Sequence, residues 1–136
     1  MYYDYEKERA EAFFAGERAR NSLQEALKAL NSARNWGVWD MLGGGLISNL
    51  VKHSKISQAS GYIERAKADL QSFSRELCDM QEFADMGVNI GDFWGFADWF
   101  FDGLFADWVM QNRINEARSQ VERAIAKVDV VLERIR

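Results

Sequence analysis

The sequence predicts an all-α fold: an elongated antiparallel helical bundle or coiled coil, with three long heptad helices and two short Trp-Gly tip segments in an internal duplication. Three observations predict it. None of the 136 residues is proline, so nothing forbids long uninterrupted helices. Apolar residues recur in alternating steps of four and three over three separate stretches, which places one seam on one face of a helix. The chain also matches itself when displaced by 58 residues.

The first long helix is expected within residues 1–33, a stretch rich in Glu, Ala, Arg, Leu and Lys, all good helix formers. Its seam is Ala12, Gly16, Ala19, Leu23, Ala26, Leu30 and Ala33, and Asp4, Glu6 and Glu8 crowd its start, where they complement the helix dipole. A second seam runs Ala59, Ile63, Ala66, Leu70, Phe73, Leu77 and Met80, with Ser54 and Ser57 ahead of it as caps. A third runs Met110, Ile114, Ala117, Val121, Ala124, Val128, Val131 and Ile135, and its end is loaded with Arg123, Lys127, Arg134 and Arg136. Three such helices in one chain most simply form an up-down-up bundle, although seams this long could also serve a dimer.

The 58-residue displacement gives 13 identities over the 47 positions 31–77 without a gap. Trp36-Gly37 falls on Trp94-Gly95, Asp40 on Asp98, Gly45-Leu46 on Gly103-Leu104, and Glu64-Arg65-Ala66 on Glu122-Arg123-Ala124. Seam residues match by chance because they share a period, but the Trp-Gly, Asp and Gly-Leu matches lie outside the seams. One helical domain over 1–136 therefore divides into the first helix, a repeat unit at 31–78 and a second at 89–136. Each unit is expected to read as a Trp-Gly turn, a short segment with Asp and Gly, then a long helix. If the second and third helices run antiparallel, the two tips sit at opposite ends of the rod about a pseudo-twofold axis. The Glu-Arg pairs could then bridge helices across that axis.

Composition narrows the function. A net charge of −4 and a pI near 5.1 supply no basic field for nucleic acid. The lone Cys78 cannot close an intramolecular disulfide, and no cationic start is followed by an apolar run, so a cytoplasmic protein is expected. Phe93 to Met110 is apolar enough to consider as a membrane span, but Asp98, Asp102 and Asp107 interrupt it.

No residue pattern calls for catalysis, a metal or a cofactor. His53 is the only histidine, which excludes a diiron centre with paired Glu-x-x-His motifs and leaves zinc without ligands. Asp85, Asn89 and Asp92 lack the spacing and closing Glu of a calcium loop. Asp98 and Asp102 are one turn apart and fit a solvated face. Cys78, next to the seam residue Leu77 and flanked by Asp79 and Glu82, reads as half-buried and unreactive. Lys52, His53 and Lys55 form a small basic cluster, which on an acidic protein fits a solvated face.

The tips are the candidate interaction sites. In the first, Trp36 and Trp39 precede Gly43, Gly44 and Gly45, which allow close backbone approach and favour a bend. A phosphate-binding loop would need Gly-Lys-Ser/Thr after the glycines and a strand before them, and neither is present. The second tip places eight aromatics in the sixteen positions 93–108, among them Trp94, Phe96, Trp99, Phe100, Phe105 and Trp108. That segment reads first as an end cap with its own small core. It reads next as a partner-binding surface, since Trp and Phe are common anchors, and last as a membrane-interface helix. Interfacial helices carry Lys and Arg opposite the aromatics, whereas the polar side here is acidic.

Trp39-Asp40, Gly43-Gly44-Gly45, Ser48 and Lys52-His53 together resemble a motif in a group of uncharacterised bacterial helical proteins, and the likeness extends loosely into the flanking helices. The resemblance implies a bacterial, helix-rich cytosolic protein and supplies no catalytic residues. The expectation is a non-enzymatic structural or protein-interaction protein that forms homo-oligomers or binds a protein partner. Rival readings are a binding module for a small apolar ligand and a peripheral membrane protein that uses residues 93–108.

Overall fold

The structure, a computed structural model, describes residues 5–41, 45–80 and 114–136, with side chains at 5–32, 58–80 and 114–136. These residues are all-helical, without strands. Helix α1 is Tyr5–Met41, α2 is Gly45–Cys78 and α3 is Ile114–Ile135. The 37 residues of α1 extend about 55 Å at ~1.5 Å per residue.

Every seam position with a described side chain is buried, from Ala12 to Leu30 in α1, Ala59 to Met80 in α2 and Ile114 to Ile135 in α3. Four further buried positions, Ala15, Ser22, Ser74 and Leu132, lie beside the seams. Their cause is the arrangement of neighbours: α1 packs against both α2 and α3, so its apolar face must be wider than a two-column seam. Alanine at 12, 15, 19 and 26 keeps that face low.

Polar contacts fix the helix directions. The Ser22 hydroxyl donates to the Asp69 carboxylate, and Gly16 faces Phe73, so α1 and α2 are antiparallel. Arg9 donates to the Ile135 carbonyl (3.1 Å), Arg20 to Asp129 (2.5 Å) and Arg118 to Asn31 (2.5 Å), so α1 and α3 are antiparallel as well. Helices α2 and α3 therefore run in the same direction. This replaces the expected up-down-up order and its perpendicular pseudo-twofold axis: α2 and α3 both begin at the far end of α1. A short hairpin forces antiparallel neighbours, but residues 81–113 separate these two helices. Such a length reaches ~110 Å when extended at ~3.3 Å per residue, enough to allow either direction.

Two contacts compare the heights of α2 and α3 along α1. Ser22 meets Asp69, and Arg20 meets Asp129, which the offset equates with position 71. A change of two residues on α1 is thus matched by two residues in repeat numbering. The seven buried positions of α2 from 59 to 77 (59, 63, 66, 70, 73, 74 and 77) each have a buried counterpart in α3 58 residues later.

Three local expectations are revised. Helix α1 continues through Trp36-Gly37 to Met41, so that dipeptide is not a turn. A single helical glycine costs only about 1 kcal/mol relative to alanine, which packing on α2 can offset. Ser54 and Ser57 lie inside α2 rather than ahead of it. Cys78, the last residue of α2, is exposed rather than half-buried. Helix α1 ends at Met41 and the antiparallel α2 opens on Gly45.

Gly61, by contrast, is an exposed helix-interior position where an added Cβ meets nothing within 4 Å. Gly61→Ala is expected to stabilise the fold by about 0.5–1 kcal/mol through backbone entropy and helix propensity. A raised urea midpoint with an unchanged slope checks it.

Candidate functional site

Of the expected tip residues, Trp36 and Trp39 lie on the last turns of α1, beyond the Asn31–Arg118 contact. Three apart on a helix, they share roughly one face. Gly45 opens α2 at the same end. Gly43 and Gly44 lie outside the described residues, as do Trp94, Phe96, Trp99, Phe100, Phe105 and Trp108 with the whole of the 93–108 segment.

Chemistry at the opposite end was not legible in the sequence. The antiparallel register brings Glu8 of α1 to Glu76 and Asp79 at the end of α2, with carboxylate oxygens all within 4.8 Å of one another. Burial raises the Glu76 carboxyl above its ordinary pKa, and the negative charges of Glu11, Asp79 and Glu8 push it further, against an opposing pull from Arg18. The raised folded pKa means that the native state holds this proton more tightly than the unfolded chain. Its stabilising effect is present at low pH and is lost as pH rises through the folded pKa. Glu76→Gln is therefore expected to stabilise the fold at pH 7 by a few tenths of a kcal/mol, a figure discounted for solvent screening. The gain should vanish on acidification; thermal melts of both proteins across the carboxylate range check this.

Between α1 and α3 lies a groove of about 340 Å³, lined by Glu17, Arg20, Asp129, Leu132, Glu133 and Arg136. Its two guanidiniums face partners within the protein: Arg20 pairs with Asp129, and Arg136 lies 3.7 Å from Glu133. Three carboxylates against two arginines give it no cationic character. Such pairs set register more than stability, at about 0–1 kcal/mol each.

The repeated Glu-Arg pairs do not span helices where contacts are seen. Glu64 lies 3.7 Å from Lys67 one turn away, and Arg65 sits 5.6 Å from the ring centre of Tyr62. The exposed Phe14 and Val130 stand on the outer faces of different helices, and single exposed apolar residues are ordinary. Among the described residues, no helix is long and apolar enough to cross a membrane. Compared with known proteins, the chain matches no family model, no curated protein and no solved structure.

Proposed function

We propose that this chain is a structural, protein-interaction bundle that self-associates through its tryptophan-bearing segments, without catalytic activity. One observation carries the reading. Among the described side chains the core closes around alanine, leucine, isoleucine, valine and Met80, with Phe73 as its one fully buried aromatic ring. All five tryptophans fall in 36–39 and 94–108. Tryptophan is among the commonest anchors at protein interfaces, which favours these two segments for binding a partner.

The same proposal includes a true internal duplication packed along coiled-coil seams. Its support is the agreement of two independent offsets. The Trp-Gly, Asp and Gly-Leu matches give 58 from residues outside the seams, and the α1 contacts of Asp69 and Asp129, and of Phe73 and Leu132, agree with that spacing to within about a residue. A heptad coincidence alone would tolerate slips of seven residues, each about 10 Å along the axis. In this reading the chain is cytoplasmic, and a second copy is the partner.

Light scattering across a hundredfold concentration range tests the assembly. A self-associating chain gives a mass above 15.7 kDa that falls on dilution, and Trp36→Ala with Trp39→Ala shifts it toward monomer without loss of helicity. A monomer mass at every concentration rejects self-association. Co-sedimentation of a monomer with liposomes would favour the membrane-interface alternative, and a change in tryptophan fluorescence with fatty acid would favour the apolar-ligand one.

A further inference from the structure

The register that joins α1 to α2 carries on to the end where α1 stops and α2 begins. Ser22 meets Asp69. One heptad further on, Ala29 and Tyr62 both pack at the edge of the core, and a second heptad sets Trp36 of α1 at the height of Lys55 of α2. Trp39, a turn beyond Trp36, stands at the height of Lys52. We infer that this end of the α1–α2 pair is the surface on which the acidic, aromatic residues 93–108 of a second copy dock. The inference rests on the self-association proposed above and names which segment meets which.

The core seam changes character at the same place. Gly16 faces Phe73, and heptad steps from that layer give Leu23 with Ala66 and then Leu30 with Ala59, all completely buried. The next step gives Gly37 with Lys52. A glycine across from a lysine supplies no apolar pair, so the hydrophobic seam of the two helices ends before their last turns. An unpaired ammonium is costly to shut away from water, and a partner that brings carboxylates suits this layer.

Charge selects the occupant. Residues 26–63 hold four basic residues and one acidic, Asp40, although the whole chain carries −4. Residues 93–108 hold Asp98, Asp102 and Asp107, no basic residue, and eight aromatics. The two tryptophan-bearing segments are therefore unlike in charge, and pairing one with the other is favoured over pairing either with itself. Connectivity favours a second copy over the chain's own segment. Ile114, separated from Trp108 by residues 109–113, opens α3, which lies on the flank of α1 marked by Arg20 and Asn31. Trp36 stands in the column of Ser22, on the flank of α2. Two copies that exchange these segments make the same contact twice, and the association closes as a twofold dimer.

Charge exchange tests the pairing. One chain carries Lys52→Glu and Lys55→Glu, a second carries Asp98→Lys and Asp102→Lys, and light scattering reads each mass at a concentration where the natural chain is associated. Each reversed chain alone should fall to the 15.7 kDa monomer, because its two segments now carry the same sign. Mixed in equal amounts, the two should return to the dimer mass. Reversed chains that associate alone as the natural chain does, or a mixture that stays monomeric, overturn the inference and leave self-association standing. A natural chain that is monomeric at every concentration removes both. Should either reversed chain lose its helical circular dichroism, the natural chain decides by its response to salt. Raising sodium chloride from about 50 mM to about 500 mM screens the charges and should weaken the dimer about tenfold, whereas association that is unchanged or tighter in salt overturns the inference.

Discussion

Phe73→Ala is expected to destabilise the protein by about 3–5 kcal/mol, the usual cost of truncating a fully buried phenylalanine. Among the described residues Phe73 is the largest side chain that is completely buried, at 0% exposure. Its ring lies against Gly16 of α1, close to where Leu132 of α3 arrives, so its removal opens a void where the three helices meet. The site has little means to collapse, because Gly16 has no side chain to move in and the surrounding α1 residues are alanines at 12, 15 and 19. With typical domain stabilities of about 5–15 kcal/mol, this single change could consume most of the margin. Urea unfolding checks it: a loss below about 2 kcal/mol would show that Phe73 is not the centre of the core.

Gly16→Ala tests the same layer from the opposite direction. Helix propensity alone favours the substitution by about 1 kcal/mol. Packing opposes it, since the new methyl would come within 3 Å of both Leu132 and Phe73. Each obstructing atom is the end of a side chain; Leu132 borders the groove between α1 and α3 and can shift, whereas the Phe73 ring is completely buried. Overpacking costs about 1–3 kcal/mol, so the net change is a destabilisation of about 1–2 kcal/mol. Comparison with Gly61→Ala isolates the packing effect, because both glycines are interior to helices and only Gly16 is enclosed. If both substitutions raise the melting temperature, the close approach at Gly16 is absent.

The contrast between these glycines shows which features were legible in the sequence. Gly16 and Leu23 stand in a seam whose period alone marks them as buried, and the described positions of all three seams are buried. The width of each buried face was not legible. Ala15 and Ser22 become interior because α1 has two neighbours, which no local pattern reports; a third apolar column beside the seam was the only available signal. The direction of α3 was equally hidden, because it depends on a long connection rather than on a turn. The acidic group of Glu8, Glu76 and Asp79 joins residues far apart in sequence, and only the antiparallel register of α1 and α2 unites them. At Trp36-Gly37, the weak helix propensity of glycine suggested a turn, and the continuation of α1 overrides it. Of the tip residues, Trp36, Trp39 and Gly45 gather at the end where α1 meets α2.

One distance measures the parallel course of α2 and α3, each packed against α1. Native Cys78 is exposed at the end of α2, and Glu133 is exposed one turn before the end of α3. Spin labels at Cys78 and at Glu133→Cys should show a pulsed electron–electron separation of about 15–30 Å, given that each helix packs on α1 at an interaxial spacing of ~8–10 Å, plus label length. An antiparallel α3 would set the two labels about 30 Å apart along the rod at ~1.5 Å per residue. A dominant distance beyond about 35 Å would contradict the arrangement.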